Sequence, residues 1–325
     1  MTATLQAPDA LRADDDRLVL EVAGIDDAAP GIRSLTLRRP GGGPLPAHPP
    51  GSHVVLDCGD RRNAYSLTGD GSAAEEYRVS VLLCPDGDGG SAFVHRLAVG
   101  DVVTASRPRS AFAPISTARH HLLVAGGIGV TPMLSHARAA ARWGRSFEVL
   151  YGHRAGAGAH LAELRELAGD RLAAFNSTPE MLAAVRAALA DRPIGTHVYV
   201  CGPAPLIAFV EETAAELGWP EARVHAERFS ALDLDPGEPF TVRLARSGGR
   251  VPVPSGTSLL AALEDAGVPV PSMCRQGVCG ECRVPVRAGR PLHRDLYLSE
   301  TERAAGDAVM CCVSRSLDDE LELDL

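Results

Sequence analysis

The chain has 325 residues, a net charge of −9 and a mean hydropathy near zero, which predicts two or three domains of roughly 100–150 residues. The negative charge excludes general binding to nucleic acid or to an anionic membrane. All 32 basic residues are arginines, so Schiff-base or general-base chemistry on a lysine is excluded. The first residues lack the pattern of a secretory signal. The sequence also contains no run of about 18 apolar residues, which is the length needed to span a membrane. We therefore expect a cytoplasmic protein.

Residues 16–114 consist of short segments in which polar and apolar residues alternate, separated by turns rich in glycine and proline. Alternation with a period of two is typical of β-strands. Within this region only residues 91–99 have the pattern of a helix. Six short strands at this spacing predict a small antiparallel β-barrel.

Residues 115–229 change to apolar strands that alternate with helices of about 10–15 residues. The first of these helices is predicted from Pro132 to about Trp143, directly after an apolar strand and a glycine-rich turn. The alternation predicts a parallel, doubly wound α/β sheet of the Rossmann-like kind.

Residues 238–325 form a third unit, after a short acidic connector. The unit begins with a hairpin that turns at Gly248 and Gly249, followed by a helix from about Ser258 to Ala266. Gly267 is placed to end that helix as its C′ residue. A cysteine-rich loop and a final pair of strands complete this α+β unit.

The cysteine-rich loop holds the most specific motif in the chain. Cys274, Cys279 and Cys282 have C-x4-C-x2-C spacing, and more cysteines follow about thirty residues later, as in plant-type [2Fe-2S] ferredoxins. Two irons bridged by two sulfides need four thiolates, and Gly277 and Gly280 give the loop the backbone freedom to present three of them. A zinc site is the alternative, but zinc modules favour pairs of C-x2-C or mixtures with histidine.

The fourth cluster ligand is ambiguous from spacing alone, because Cys311 and Cys312 are adjacent. Side chains alternate faces along a strand, so only one of the two can point at the cluster.

A nucleotide-binding turn is predicted where the first strand of the α/β region meets its helix. Gly127 and Gly129 would let the backbone approach a pyrophosphate, while Thr131 is placed to cap the helix and Pro132 suits its first turn. The free N–H groups of such a helix start attract phosphate. A later strand ends in Cys201, and the residues that follow it, Gly202 and Pro203, would meet a ligand crossing the same edge of the sheet.

A flavin segment is predicted on one barrel strand, where Arg62, Asn63, Tyr65 and Ser66 combine groups that can stack on a flavin ring, hydrogen-bond its reactive edge and pair with a phosphate. Downstream, a glycine-rich run ends in Gly89, Gly90 and Ser91 and leads into the one predicted helix of this domain. This run is a second candidate phosphate-binding site.

The order of these motifs over residues 16–325 resembles the phthalate dioxygenase reductase / vanillate demethylase reductase family, the reductase components of Rieske-type oxygenases. The resemblance implies an FMN-binding β-barrel over 16–114, an NAD-binding Rossmann-like domain over 115–229 and a β-grasp ferredoxin-like domain over 238–325. It also implies FMN, NADH and a [2Fe-2S] cluster as cofactors, and a terminal oxygenase protein as electron acceptor.

The resemblance also implies roles for individual residues. Ser66 would contact the reactive edge of the flavin, Cys201 would approach the nicotinamide, and Glu227 would lie close to the flavin. Two departures concern the flavin phosphate: Asn63 stands where the family has arginine, with Arg62 one residue earlier, and Asp88 stands where the family often has arginine. The remaining carried-over positions are Tyr65 and Phe229 at the flavin, Gly89–Ser91 at its phosphate, Gly127–Pro132 at the pyrophosphate of NADH, and Cys274, Cys279, Cys282 and Cys312 as cluster ligands.

We therefore expect a monomeric electron-transfer enzyme in which NADH gives a hydride to FMN and single electrons leave through the cluster. Ser66, Cys201 and Glu227 are the expected catalytic residues. Three alternatives stay open: an acceptor such as a cytochrome P450 or a separate ferredoxin, FAD in place of FMN, and a redox sensor without steady turnover.

Overall fold

A computed structural model of the protein describes residues 17–325, except residues 60, 73–74, 86, 88, 111, 230–234, 273–276, 278–279 and 296 and the side chains of residues 61 and 300. Three separate sheets with their own cores account for most of these residues. They follow one another along the chain in the order that the sequence predicts.

The first sheet has six antiparallel strands in the order β4-β3-β6-β1-β2-β5. A bridge between Leu67, directly after β4, and Val79 of β5 joins the two edge strands of this sheet. The sheet therefore closes into the predicted barrel. The elements are β1 (Arg17–Ala29), β2 (Ile32–Arg38), β3 (His53–Cys58), β4 (Arg61–Ser66), β5 (Glu76–Leu82), α1 (Gly90–Arg96) and β6 (Val102–Ser106).

Alternation along β3 decides which side chains face out of the barrel. Val54, Leu56 and Cys58 belong to the barrel core, so His53 points to the opposite, outer side of the sheet. His53 pairs with Ser66 of β4, and directly paired residues of an antiparallel ladder share a face. The outer face of β3 and β4 therefore carries Ser66.

The second sheet is parallel, with the order β11-β10-β7-β8-β9. The chain moves outward from β7 to β9 and then crosses to the other side of β7, which makes the gap between β7 and β10 the switch point of a doubly wound sheet. The elements are β7 (His120–Gly126), α2 (Val130–Arg142), β8 (Phe147–Gly152), α3 (Leu161–Ala168), β9 (Leu172–Phe175), α4 (Thr178–Ala190), β10 (Thr196–Cys201), α5 (Ala204–Glu216) and β11 (Val224–Glu227).

The third sheet has the mixed order β13-β12-β18-β14-β16, with a helix packed on its core. The predicted hairpin and helix are present: Gly248 has a φ of +72°, Ser258 accepts a hydrogen bond from the first helical turn, and Gly267 has a φ of +74° after its end. The elements are β12 (Phe240–Leu244), β13 (Arg250–Val253), α6 (Leu259–Asp265), β14 (Arg283–Ala288), β15 (Pro291–Leu292), α7 (Glu300–Ala305), β16 (Ala308–Met310), β17 (Arg315–Ser316) and β18 (Glu320–Leu323).

Helix α7 was not predicted, although its start carries a recognisable signal. Ser299 and Glu302 form a capping box, in which each side chain bonds the backbone N–H of the other residue. The helix is only one and a half turns long, too short for hydrophobic periodicity to reveal it.

Helix α2 holds the α/β sheet against the barrel. The Ser135 hydroxyl accepts a hydrogen bond from the Gly51 N–H at 3.1 Å and donates one to the Gly69 carbonyl, and Arg138 donates to the Thr68 carbonyl at 2.6 Å. These contacts reach the barrel next to the end of β4. In the described part of the chain, no helix is both long enough and apolar enough to cross a membrane.

Candidate functional site

Two turns meet at the switch point of the parallel sheet, and glycines make the contact possible. A Cβ atom on Gly129 would lie 2.2 Å from the Cys201 carbonyl oxygen, and one on Gly202 would lie 2.9 Å from the Gly126 Cα atom. Real Cβ contacts are longer, so side chains at these positions would force the turns apart. The turn after β7 and the turn after β10 therefore form one crevice of bare backbone, which suits a pyrophosphate.

The start of α2 differs from the prediction. The helix begins at Val130, two residues before the predicted Pro132, and Gly129 occupies the N-cap position. Thr131 thus lies inside the first turn and donates its hydroxyl to the Ile128 carbonyl at 3.0 Å, so the predicted capping role of Thr131 is wrong. No side chain of the described residues caps this turn. The Val130 N–H donates to the Gly127 carbonyl, and the other N–H groups of this first turn are the candidates for anion binding.

Cys201 and Glu227 lie side by side at the ends of β10 and β11, next to this crevice. Burial raises the pKa of Glu227 to about 8, and its buried Oε2 has no hydrogen-bond partner among the residues that the structure describes. Burial and the neighbouring Glu227 raise the pKa of the Cys201 thiol. At neutral pH the pair is therefore a thiol beside a carboxylic acid, and both groups can donate a hydrogen bond.

A histidine and tyrosine stack continues from this pair along the same face of the sheet. His197 and His225 have parallel rings joined by an N···N contact of 2.9 Å, and Tyr199 stacks on His225 with ring centroids 4.6 Å apart. This grouping was not predicted from the sequence. Its signal is the two-residue spacing of His197, Tyr199 and Cys201 on one strand beside His225 and Glu227 on the next.

The predicted flavin strand divides its polar residues between two faces. Ser66 is buried on the outer face, and Arg62 shares that face and pairs with Asp57, with 3.3 Å between Nε and Oδ1. Tyr65 packs against the barrel core from the other face. A ring, a hydroxyl and a guanidinium are therefore present on this strand, but the guanidinium is directed away from Tyr65.

Asn63, not Arg62, adjoins the second glycine-rich turn. A Cβ atom on Gly90 would lie 2.1 Å from the Asn63 Oδ1 atom, so the asparagine side chain reaches the start of α1. Gly89 has a φ of +95° at the N-cap of that helix, and the Ser91 hydroxyl accepts a hydrogen bond from the Cys84 N–H at 3.0 Å. Asp88 lies outside the described residues.

Two of the four expected cluster ligands are described, and they are adjacent. The backbone N–H of Cys312 donates to the Cys282 Sγ atom at 3.4 Å. N–H groups directed at sulfur are what an iron–sulfur cluster requires of its protein. Cys274 and Cys279 lie outside the described residues.

Cys311 and Cys312 both belong, with Cys282, to the apolar core cluster of the third sheet, and Cys311 is 0% exposed whereas Cys312 is 8% exposed. The Cys311 carbonyl accepts from the Leu260 N–H at 2.8 Å, and the Cys311 N–H donates to the Cys282 carbonyl at 3.0 Å. Burial raises the pKa of the Cys311 thiol. Burial by itself does not separate the two candidates, because the expected ligand Cys282 is 2% exposed in the same cluster.

Two glycines of the cluster loop have the left-handed backbone conformation that the predicted tight turn needs. Gly277 and Gly280 have φ values of +73° and +84°, which favour glycine. A Cβ atom on Gly280 would lie 2.4 Å from the Tyr297 ring. Buried Asp295 fixes the segment that carries this ring, because its carboxylate accepts from the Leu298 N–H at 2.8 Å.

Comparisons with known proteins agree with this arrangement. Residues 102–224 match the family described as dimethylamine monooxygenase subunit DmmA-like, N-terminal domain, and residues 242–316 match the 2Fe-2S iron-sulfur cluster binding domain. The chain is 42% identical to the heme-dependent oxidative N-demethylase beta subunit of Ectopseudomonas mendocina, over 95% of this chain and 99% of that one.

Two solved structures are similar over nearly the whole chain. Phthalate dioxygenase reductase, described as a modular structure for electron transfer from pyridine nucleotides to [2Fe-2S], has a TM-score of 0.73 and 35% identity over 96% of this chain and 99% of that one. An intact type IV self-sufficient cytochrome P450 monooxygenase has a TM-score of 0.80 and 36% identity over 95% of this chain and 41% of that one.

These findings confirm the family, the three-part fold and the oxidoreductase activity expected from the sequence. They likewise confirm the expected cofactors, FMN, NADH and a [2Fe-2S] cluster, at the level of the family. The chain belongs to the phthalate dioxygenase reductase-like family of oxygenase reductase components.

Proposed function

We propose that this protein takes electrons from NADH at the switch-point crevice and delivers them singly, through FMN and its own [2Fe-2S] cluster, to a separate terminal oxygenase. The observation that carries the proposal is the contact between the Gly129 turn and Cys201, in a chain whose last domain matches a [2Fe-2S] domain. This contact forms a backbone crevice for a dinucleotide, and the matched domain supplies an exit for single electrons.

In this proposal the crevice holds NADH by its backbone. Gly127, Gly129, Thr131 and Pro132 at the start of α2 lie along the pyrophosphate, and Gly202 and Pro203 line the opposite wall. The first turn of α2 supports this role, because no side chain of the described residues caps it and the start of a helix attracts phosphate oxygens.

Cys201 and Glu227 orient the nicotinamide. Both are neutral at pH 7, because burial raises the pKa of Glu227, and burial together with the neighbouring Glu227 raises the pKa of Cys201. As neutral groups, the thiol and the carboxylic acid can both donate hydrogen bonds to the nicotinamide.

The barrel holds the flavin. Ser66 donates a hydrogen bond to its reactive edge, with Tyr65 and Phe229 against the ring, and Phe229 is 39% exposed. Gly89, Gly90, Ser91 and Asn63 lie near the phosphate, with Arg62 close by. A flavin is needed because NADH gives two electrons together, whereas a [2Fe-2S] cluster accepts one.

Cys274, Cys279, Cys282 and Cys312 ligate the cluster. The Cys312 N–H directed at Cys282 Sγ supports the choice of Cys312, which is also the position implied by the family resemblance.

A Rieske-type oxygenase is the acceptor implied by the family resemblance. A haem oxygenase is the second candidate, favoured by the 42% identity to the beta subunit of a heme-dependent oxidative N-demethylase and by the cytochrome P450 monooxygenase with a similar reductase portion.

The test is reconstituted turnover. The holoprotein is mixed with NADH and with a purified Rieske-type or haem oxygenase, and NADH consumption is compared with product formation. We expect tightly coupled turnover with one of the two acceptor classes. If NADH leaves the flavin oxidised, the proposed function is wrong, and if neither class of oxygenase is reduced, the acceptor is of another kind.

Two further assignments belong to the proposal. We place the domains at 16–114, 115–229 and 238–325, and we take the working form to be a monomer in the cytoplasm. Limited proteolysis checks the boundaries, and sedimentation of the holoprotein checks the oligomeric state.

A further inference from the structure

An ion pair joins the cluster loop to the barrel. Glu281 lies directly before the expected ligand Cys282, and its carboxylate accepts a hydrogen bond from the Arg109 guanidinium, which belongs to the segment after β6. The two side chains are 32% and 29% exposed, so water screens the pair only in part. A charge-assisted hydrogen bond of this kind both attracts and orients its partners.

The barrel end of this pair is tied directly to the flavin strand. The N–H of His53 donates to the Arg109 carbonyl at 2.8 Å, and the N–H of Arg109 donates to the His53 carbonyl at 3.0 Å. His53 in turn is the ladder partner of Ser66. Three successive contacts therefore lead from the cluster loop to the serine proposed at the reactive edge of the flavin.

Such a connection has a physical consequence for electron transfer. Interfaces between domains of one chain are commonly small and polar, so relative motion is the default expectation. The rate of a reaction between two held groups depends steeply on their separation and orientation, and misplacement by about 1 Å can cost about a hundredfold. A bond from the ligand loop to the flavin strand restrains the separation on which the transfer depends.

We infer that Arg109 and Glu281 are positioning residues that hold the cluster loop against the flavin strand for electron transfer, an inference that rests on the proposed function. In the step concerned, one electron at a time leaves the flavin and reduces the cluster by one electron. NADH supplies the two electrons and is oxidised to NAD⁺.

The experiment compares charge-reversal variants of the holoprotein. Arg109→Glu and Glu281→Arg each place two like charges together, and the double variant restores an opposite pair. Arg38→Glu is the matched control, because it changes net charge equally but breaks a pair within the barrel, with Glu21 at 3.1 Å. Flavin reduction by NADH is followed by stopped-flow absorbance and cluster reduction by rapid-freeze EPR. Iron content and the rate of proteolytic cleavage between β11 and β12 are measured alongside.

We expect each single reversal to leave flavin reduction unchanged, to slow cluster reduction about tenfold or more and to speed cleavage between the domains. The double variant should recover most of the native rate of cluster reduction and most of the native resistance to cleavage. Arg38→Glu should change neither cluster reduction nor cleavage. Because Glu281→Arg could impair cluster assembly, Arg109→Glu with full iron content is the decisive single variant.

Cluster reduction at the native rate in Arg109→Glu would overturn the inference and leave the proposed function intact. Failure of the double variant to recover, at full iron content, would also overturn it. If NADH does not reduce the flavin of the unmodified protein, the proposed function itself is wrong.

Discussion

Cys201 and Glu227 are register partners at the carboxyl ends of two adjacent parallel strands. They lie 26 positions apart in sequence, yet the ladder between β10 and β11 sets the thiol and the carboxyl group beside each other at the switch-point crevice. Burial keeps the carboxyl group protonated at neutral pH, with a pKa raised to about 8.

The buried Glu227 should make stability fall as the pH rises. Its pKa is raised from 4.5 to about 8 in the folded protein, so between these values the folded state keeps a proton that the unfolded state has lost. The stabilisation is complete below about pH 4.5 and is lost as the pH rises toward 8. Glu227→Gln should therefore gain thermal stability relative to the native protein from pH 5 to pH 8.5, as measured by melting curves. Glu212→Gln, at an exposed position of α5, is the control, and equal shifts in both variants would contradict the prediction.

Gly129→Ala should separate the two turns of the crevice. The new Cβ atom would lie 2.2 Å from the Cys201 carbonyl oxygen, so the backbone must shift, at a cost of about 1–3 kcal/mol of unfolding free energy. We expect NADH affinity, measured by fluorescence titration, to fall at least about tenfold. Gly24→Ala is the control, because its Cβ atom would meet Thr36 at an ordinary 3.7 Å. Unchanged NADH affinity in Gly129→Ala would show that the crevice is not the binding site.

Ser66→Ala should slow flavin reduction by NADH more than it weakens flavin binding. Loss of one hydrogen bond to the reactive edge corresponds to about 1 kcal/mol, or roughly a fivefold to tenfold change in rate. Stopped-flow reduction and flavin titration measure the two effects separately. Ser106→Ala removes another buried barrel hydroxyl, which accepts from the Val55 N–H at 3.0 Å, and should leave the reduction rate unchanged. Equal rates in both variants would remove Ser66 from the reaction.

Cys312→Ser should lose or alter the cluster, whereas Cys311→Ser should retain it. The Cys312 N–H contacts Cys282 Sγ, and the family resemblance implies Cys312 as the fourth ligand. Iron content and the EPR spectrum of the reduced protein report the outcome. We expect Cys311→Ser to lower the unfolding free energy by about 1–3 kcal/mol, because a hydroxyl replaces a thiol in an apolar site. The reverse pattern of cluster loss would assign Cys311 as the ligand.

Buried histidines should make the protein sensitive to acid. Burial lowers the pKa of His53, His121 and His225 to about 4 and that of His136 to about 3. These groups stay neutral in the folded protein below pH 6.5, while the unfolded chain takes up protons, so stability is complete above about pH 6.5 and falls toward pH 4. The unfolding free energy from urea titrations should drop steeply from pH 7.5 to pH 4.5, and His136→Gln should reduce that drop by about 2 kcal/mol. An identical pH dependence in that variant would contradict the prediction.

Local patterns in the sequence predicted most of the architecture, because each depends on neighbouring residues. The alternation along β3, the helix between Ser258 and Gly267 and the spacing of the cluster cysteines each reflect geometry within a few turns of the chain. A [2Fe-2S] loop takes three ligands from one short segment, so its spacing is visible without the fold.

Local sequence patterns could not predict the outcome where two neighbouring residues were both suitable for the same role. Thr131 has a residue type that favours the N-cap, but α2 starts at Val130 because the preceding turn packs against Cys201 and fixes the helix start. The choice between Arg62 and Asn63 likewise depended on which face of β4 adjoins α1. Both results depend on packing with a second element.

Composition, periodicity and motif spacing are sufficient to predict the three domain types, their order, the family and the chemical nature of the cofactor sites. Which distant residues meet depends on the packing of separate elements. The pairing of Cys201 with Glu227, the stack of Tyr199 on His225 and the bond between Arg109 and Glu281 all join separate elements of the fold. Strand register and domain packing create these contacts, and neither is encoded in the residues next to them.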